Sequence, residues 1–136
     1  MDGNVSLNLF MIKLIILNYI VGLIIGCLLE SVYRSIQAKK FIRPIFVNFQ
    51  MYGLSGVFLY ILSLLNISLY LKIPLIIFFT TAVEFINGYI YFKYKKIRLW
   101  DYSNQVFNYK GFICPLFSLY WLVISLLYYY LLIPRV

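Results

Sequence analysis

The sequence predicts an all-α integral membrane protein: a bundle of four transmembrane helices with a cytoplasmic loop between helices 3 and 4 that could be re-entrant. The first observation is composition, because 64% of the 136 residues are hydrophobic and only 12% are charged, against about 25% charged in a soluble domain. The second is a set of four long apolar runs, and the third is the concentration of basic residues between them. Since hydrocarbon is an apolar solvent, a bilayer accommodates such a chain as one transmembrane domain over residues 1–136.

The four apolar runs define the predicted helices. Each is close to the roughly 20 residues that cross a hydrocarbon core of about 30 Å as a helix. They lack the alternation of polar and apolar residues that is typical of barrel strands. Pro74 and Pro115 suit the first turn of the third and fourth helices, where a missing N–H costs nothing. The predicted spans are about 14–33, 46–65, 74–92 and 113–133.

The basic residues predict the orientation. Loops 34–45 and 93–112 hold nine of the twelve Lys and Arg residues, and the opposite side holds three. Short loops rich in Lys and Arg stay in the cytoplasm. We therefore expect a multi-pass protein of the cell membrane with both loops cytoplasmic and both termini outside. The net charge of +8 forms no continuous basic stripe, so a nucleic-acid partner is not expected, and the lipid bilayer is the expected surrounding.

Glu30 lies about one turn from the cytoplasmic end of the first predicted span. A carboxylate inside a span is costly and usually faces the bundle interior or a water-filled cavity. Arg34 is spaced i, i+4 from Glu30, so the two side chains share a helix face and could form an ion pair. Glu30 therefore has both a structural interpretation, as half of this pair, and a functional one, as part of a polar site.

Glu84 lies deeper in the third span and is the stronger functional candidate. Asn87 shares its helix face at the spacing i, i+3. A protonated Glu84 could act in a proton relay. An ionised Glu84 would need a partner, which Arg34, Lys93 or Arg98 could supply from the cytoplasmic side.

The loop after the third span carries most of the remaining polar chemistry. Asp101, Ser103 and Asn108 favour turns and helix caps, while Trp100 and Tyr102 combine apolar rings with polar tips. A loop that folds back over the bundle would close the site near Glu84; alternatively, its aromatic residues are interfacial anchors and its carboxylate is a cap. The predicted substrate or ion site comprises Glu30, Arg34, Glu84, Asn87, Trp100, Asp101, Tyr102, Ser103 and Asn108.

The two cysteines predict no metal or redox chemistry. Cys27 and Cys114 lie in or beside apolar segments, form no CxxC pair, and have no histidine to join them because the chain contains none. A structural disulfide, a zinc site and a bound cofactor are therefore not expected. No catalytic residue is identified.

The loop segment "LWDYSNQVFNYKGFIC" resembles a motif of the putative ABC-transporter type IV family, which carries W-D-Y-S, then F-N, then G-x-I-C before its last helix. The segments "IIGCLLESVY", "QMYGLSG" and "TTAVEFINGY" are similar to other parts of the family pattern. The sequence departs from that pattern at Phe92, where the family usually has an acidic residue, and at Phe112, where it usually has a basic one. The resemblance implies a four-helix membrane protein without a settled activity.

Three function classes remain open on these residues. The preferred one is a transporter-like or channel-like protein that binds a cation or polar substrate at its buried carboxylates. The second is a non-catalytic partner or regulatory subunit of a membrane complex, and the third is a membrane-embedded enzyme acting on lipid headgroups. The chain has no G-x-x-x-x-G-K-[ST] phosphate loop, so it is not the ATPase of a transporter. Because four helices form a small pathway, a homo-oligomer or another membrane subunit is the expected partner.

Overall fold

The secondary structure of the described residues is α-helical, with no strand. The computed structural model describes residues 2–41, 49–98 and 100–133, which contain four α-helices and no strand. The prediction of an all-α fold is therefore confirmed. The helices are α1 (Asp2–Ala38), α2 (Phe49–Leu64), α3 (Leu69–Lys95) and α4 (Pro115–Leu131).

The chain divides into two compact units, Met1–Ile61 and Leu62–Val136. The first contains α1 and most of α2, and the second contains α3, the loop after it and α4. That all 136 residues form one transmembrane domain stays a prediction.

Two of the helices are long and apolar enough to cross a membrane, by length and composition. They are the segments Val5–Ala38 and Leu69–Lys95. The apolar segments Gln50–Leu64 and Pro115–Leu131 are shorter. The structure therefore supports two candidate spans.

Some helix ends differ from the ends of the predicted spans. α1 begins at Asp2 rather than near residue 14, because no proline interrupts its polar beginning. Pro74 lies inside α3 rather than at its start, since the helix already begins at Leu69 after an extended Ser68. Pro115 is the first residue of α4, as predicted, and Cys114 before it is extended, with φ −154°. A residue that precedes proline favours this extended conformation.

In the first unit, α1 and α2 approach through small residues. A Cβ atom added to Gly22 would lie 2.8 Å from the carbonyl oxygen of Tyr52 and 3.1 Å from the Cα atom of Gly56. A Cβ atom on Gly26 would clash with the ring of Tyr52. Small residues let two helix backbones approach this closely. The glycines of α1 therefore fix where Tyr52 lies against this helix.

In the second unit, polar contacts join α3 and α4 at two positions along their length. The ammonium group of Lys72 donates to the hydroxyl of Tyr129 at 2.7 Å and also lies 5.2 Å from the centre of that ring. Further along, the hydroxyl oxygens of Thr81 and Ser118 are 2.9 Å apart. These contacts align the two helices side by side, with the start of α4 toward the end of α3.

Replacing Gly22 with alanine should destabilise the first unit. The new methyl group would meet backbone atoms of α2, which cannot rotate away, so we expect the free energy of unfolding to fall by about 1–3 kcal/mol, as for other overpacked sites. Thermal unfolding of the purified chain in detergent measures this. Leu28→Ala is the control, because the Leu28 side chain on the same helix is 51% exposed. Equal midpoints for Gly22→Ala and the wild type would contradict the close approach.

Candidate functional site

The carboxyl group of Glu84 is the most deeply buried acidic group among the described residues. Only 2% of Glu84 is exposed. Its Oε2 atom accepts a hydrogen bond from Nε1 of Trp121 at 2.6 Å and another from the hydroxyl of Tyr102 at 3.3 Å. Its Oε1 atom is buried and accepts no hydrogen bond from any described residue. A buried polar atom without a partner is rare and costly, so this oxygen marks a candidate binding position.

The positions of the partners along their helices explain how the loop reaches Glu84. At about 1.5 Å per residue, Glu84 lies roughly 16 Å before the end of α3 at Lys95, whereas Trp121 lies only about 9 Å from the start of α4 at Pro115. Since Trp121 and Glu84 are in contact, α3 extends past the start of α4 by about 7 Å. The loop must descend along the last turns of α3 before α4 begins.

The descending part of the loop is held by its own hydrogen bonds and aromatic contacts. The indole Nε1 of Trp100 donates to the carbonyl of Phe112 at 2.8 Å, and the amide of Tyr102 donates to the carbonyl of Gly111 at 2.9 Å. The ring of Tyr102 stacks on that of Phe117 in α4, with centroids 4.3 Å apart. These contacts place the Tyr102 hydroxyl beside Glu84.

Glycine allows two close approaches in this arrangement. Gly111 has φ +75°, and a Cβ atom there would lie 2.7 Å from the guanidinium of Arg98. Gly88 in α3 faces the loop, where a Cβ atom would lie 3.0 Å from the ring of Trp100. A larger residue at position 111 would clash with Arg98 and Asp101 within the loop, and a larger residue at position 88 would crowd Trp100 where the loop contacts α3.

The polar residues of the loop shape its turn. Oδ1 of Asp101 accepts a hydrogen bond from the amide of Ser103 at 3.0 Å. The Asn108 side chain donates to the carbonyls of Ser103 and Gln105 and accepts from the amide of Gly111 at 3.0 Å. Hydrogen bonds from the backbone and side chain of Ser103, followed by the nearby charge of Arg98, lower the pKa of Asp101. In the described part of the chain, no hydrogen bond joins Asp101 to Glu84.

Glu30 belongs to the first unit and has a different environment. Its Oε1 atom lies 2.7 Å from NH2 of Arg34 and accepts a hydrogen bond from Nε of the same residue at 2.9 Å. Its Oε2 atom accepts a hydrogen bond from the hydroxyl of Tyr52 at 2.5 Å. The predicted i, i+4 pair is therefore present. Both oxygen atoms have partners, which favours a structural role.

The basic residues proposed as partners of Glu84 are engaged elsewhere. Arg34 pairs with Glu30, and Nζ of Lys93 lies 5.9 Å from the centres of two tyrosine rings. Arg98 lies 4.0 Å from Asp101. The ion pairs between acidic and basic side chains in residues 2–41, 49–98 and 100–133 are Glu30–Arg34 and Asp101–Arg98, and neither includes Glu84.

Asn87 and the two cysteines were also singled out from the sequence. The side-chain nitrogen of Asn87 donates to the carbonyl of Val83 on its own helix at 2.8 Å. Cys27 and Cys114 are free and buried, one in each unit. Within the described ranges, no group of three or more His, Cys, Asp or Glu residues comes together as metal ligands.

Trp121 is the important residue that the sequence analysis missed. It lies within an apolar run, where a tryptophan resembles any other large hydrophobic residue. One signal was available, because a buried indole N–H usually finds a hydrogen-bond acceptor and few acceptor side chains occur in these spans.

Fold and site together define an all-helical protein with two helices able to span a membrane and a carboxyl group buried beneath an aromatic loop. A family model described as putative ABC-transporter type IV matches residues 17–136. The chain belongs to this family, as the loop motif predicted, and the family description relates it to membrane transport. Neither the curated proteins nor the solved structures contain a match to this chain.

Removing the hydrogen-bond donors to Glu84 should destabilise the second unit. Hydrogen bonds to charged groups contribute about 1.5–3 kcal/mol, so we expect Trp121→Phe, which loses the shorter bond, to lower the unfolding midpoint more than Tyr102→Phe. Thermal unfolding in detergent gives the order. Tyr120→Phe is the matched control for loss of a hydroxyl, since Tyr120 is 47% exposed on α4. If Tyr102→Phe and Tyr120→Phe behave alike, Tyr102 does not hold Glu84.

The hydrogen bond between Ser103 and Asp101 should depend on pH. Because folding lowers the pKa of Asp101 below its ordinary value of 3.8, the contribution of this carboxylate is fully present above that pH and is lost as the pH falls through the lower, folded value. The amide proton shift of Ser103 in micelles, followed by NMR, should titrate with a midpoint below 3.8. Asp101→Asn should abolish the titration. A midpoint at or above the ordinary value would show that the loop contact is absent in solution.

Proposed function

We propose that this chain is a four-span membrane component of a transport system, in which Glu84 reversibly binds a proton or another monovalent cation beneath the loop. The observation that carries the proposal is the asymmetry of the Glu84 carboxyl group: two donors hold Oε2, while Oε1 is buried without a partner in the described ranges. An ionisable group inside a membrane span is a functional candidate by default.

The proposed membrane placement follows from helix length. With 27 residues, α3 is about 40 Å long, whereas the 17 residues of α4 give only about 25 Å. A hydrocarbon core is about 30 Å thick. We propose that the descending part of the loop completes the crossing begun by α4, which would make it re-entrant. Non-helical backbone at membrane depth needs internal hydrogen bonds, and the bonds from Trp100 and Tyr102 to the end of the same loop supply some of them.

The proposed orientation makes Tyr102 the group between the cytoplasm and Glu84. The basic loops, residues 34–45 and 93–112, would be cytoplasmic and both termini would lie outside the cell membrane. Of the two donors, Trp121 belongs to a helix and makes the shorter hydrogen bond, whereas Tyr102 belongs to the loop and makes the longer one. We therefore assign Trp121 to holding the carboxyl group and Tyr102 to covering it.

The chemistry of the site favours a single positive charge. Hydrogen-bond donors stabilise a buried carboxylate without neutralising it, and no described basic residue pairs with Glu84. A proton or monovalent cation at Oε1 would neutralise it. Divalent cations usually need several oxygen ligands, carboxylates among them, and the described residues bring no such acidic cluster together.

A role as a subunit of a larger complex is the second candidate. The family description names an ABC transporter, and this chain contains no phosphate-binding loop of the ATPase type. ATP-driven transport through this chain would therefore need a separate nucleotide-binding subunit. A pathway through four helices is also narrow, so we propose that the chain works with further membrane subunits or with copies of itself.

Flux through proteoliposomes tests the proposal. The purified chain is reconstituted, and proton, K⁺ and Na⁺ fluxes are measured separately with ion-sensitive dyes. We expect Glu84→Gln to lower the transported flux more than tenfold, because the amide cannot exchange a proton or neutralise a cation.

Glu30→Gln is the matched control for loss of one carboxylate within an apolar helix. Both oxygens of Glu30 already have partners. We therefore expect the flux through the Glu30→Gln variant to stay within about twofold of the wild-type flux, even if the unfolding midpoint of the variant falls. Wild-type flux from folded Glu84→Gln protein would overturn the proposal.

A further inference from the structure

A cavity in the unit Leu62–Val136 has a different chemistry from the surroundings of Glu84. Its volume is about 550 Å³, within the range of small-ligand sites. It is lined by the aromatic residues Tyr89, Phe92 and Phe112 and by the polar residues Arg98, Ser103, Asn108 and Lys110, together with Gly111. We call this cavity the basic cleft. Glu84 does not line it.

Aromatic rings and the loop backbone hold Arg98 in the basic cleft. Its guanidinium carbon lies 4.8 Å from the ring centre of Phe92 and 4.7 Å from that of Phe112. One nitrogen, NH1, donates to the carbonyl of Lys110 at 2.9 Å and lies 4.0 Å from Asp101. A guanidinium group carries five N–H donors, and stacking on ring faces does not consume them. Arg98 therefore retains donors for a ligand while its position is fixed.

Lys110 adds a second positive charge to the same cleft. Its backbone has φ +53°, next to Gly111 with φ +75°, so a tight turn sets its position. Its Nζ atom lies 5.5 Å from the ring centre of Tyr109, and within the described residues it forms no ion pair with a carboxylate. Residues 93–112 contain five basic residues and one acidic residue, which gives this segment a net charge of +4.

We propose that the basic cleft binds a phosphate group, with Arg98 and Lys110 as the donors to its oxygen atoms. Arginine matches phosphate because its planar fork can donate two parallel hydrogen bonds, and lysine adds a point charge. The aromatic side of the cleft would contact the apolar part of a phosphate ester. An anionic phospholipid headgroup and a soluble phosphate ester share this chemistry. The inference is independent of the Glu84 proposal, because it uses other residues and a cavity that Glu84 does not line.

Native mass spectrometry of the full chain in detergent tests the phosphate site. The chain is incubated with phosphatidylglycerol, with phosphatidylcholine, or with glycerol 1-phosphate, and the bound fraction is measured at several concentrations. We expect the double variant Arg98→Gln/Lys110→Gln to bind phosphatidylglycerol or glycerol 1-phosphate at least tenfold more weakly. Lys93→Gln/Lys95→Gln is the matched control, because it removes two charges from exposed residues of the same segment that do not line the cleft.

Each outcome decides the proposal. A tenfold loss in the cleft variant with less than a twofold loss in the control supports the site. Displacement of phosphatidylglycerol by glycerol 1-phosphate shows that the two share the site. Binding of phosphatidylglycerol at least tenfold tighter than that of glycerol 1-phosphate assigns the site to a lipid headgroup, and equal or tighter binding of glycerol 1-phosphate assigns it to a soluble ester. Equal losses of affinity in the cleft variant and the control variant would overturn the proposal. It would also be overturned if the wild type bound phosphatidylglycerol no more tightly than phosphatidylcholine and bound no glycerol 1-phosphate. If loss of Arg98 prevents folding, Lys110→Gln alone carries the comparison.

Discussion

The hydrogen bond from the indole of Trp121 to Glu84 is the contact on which the second unit depends. It is short, at 2.6 Å, it joins α3 to α4, and it determines whether a carboxyl group can be buried among apolar side chains. Burying a charged group without partners costs more free energy than burying a neutral one. Loss of the Trp121 donor would remove the shorter hydrogen bond to Oε2 of Glu84 where α3 packs against α4. The Tyr102 hydroxyl supplies the second donor, and it can do so only because the loop descends along α3.

The unequal ends of α3 and α4 explain the loop. Because α3 continues past the start of α4, its last turns lack a neighbouring helix in this unit, and the aromatic ring of Phe112 packs there instead, within about 6 Å of the rings of Phe85, Tyr89 and Phe92. Gly88 leaves room for Trp100 on the same surface. One loop thus covers apolar helix surface, carries Tyr102 to Glu84, and places Arg98 over an aromatic surface. The aromatic residues of the loop supply these contacts.

Sequence reasoning succeeded where an interaction lies within one helix and was weaker where two elements meet. The i, i+4 spacing predicted the Glu30–Arg34 pair because both residues lie on one helix, and the length of the apolar runs predicted the helices. The loop motif predicted the family, which the family match confirms. Helix ends were less accurate, since the predicted spans followed hydrophobicity and α1 continues through polar residues to Asp2. Trp121 was missed because its role depends on how α3 and α4 align, which no spacing within α4 reveals.

The two carboxylates show why burial alone does not identify a functional group. Arg34, one turn away on the same helix, neutralises Glu30 and offsets the free-energy cost of its burial. The other oxygen of Glu30 accepts a hydrogen bond from Tyr52. Glu84 has hydrogen-bond donors on one oxygen and no cation among its described neighbours. Dipoles lower the energy of a buried charge but do not cancel it, whereas a proton or cation does. Glu84 therefore differs from Glu30 in having one buried oxygen atom without a hydrogen-bond partner among the described residues, whereas Arg34 and Tyr52 bind both oxygen atoms of Glu30.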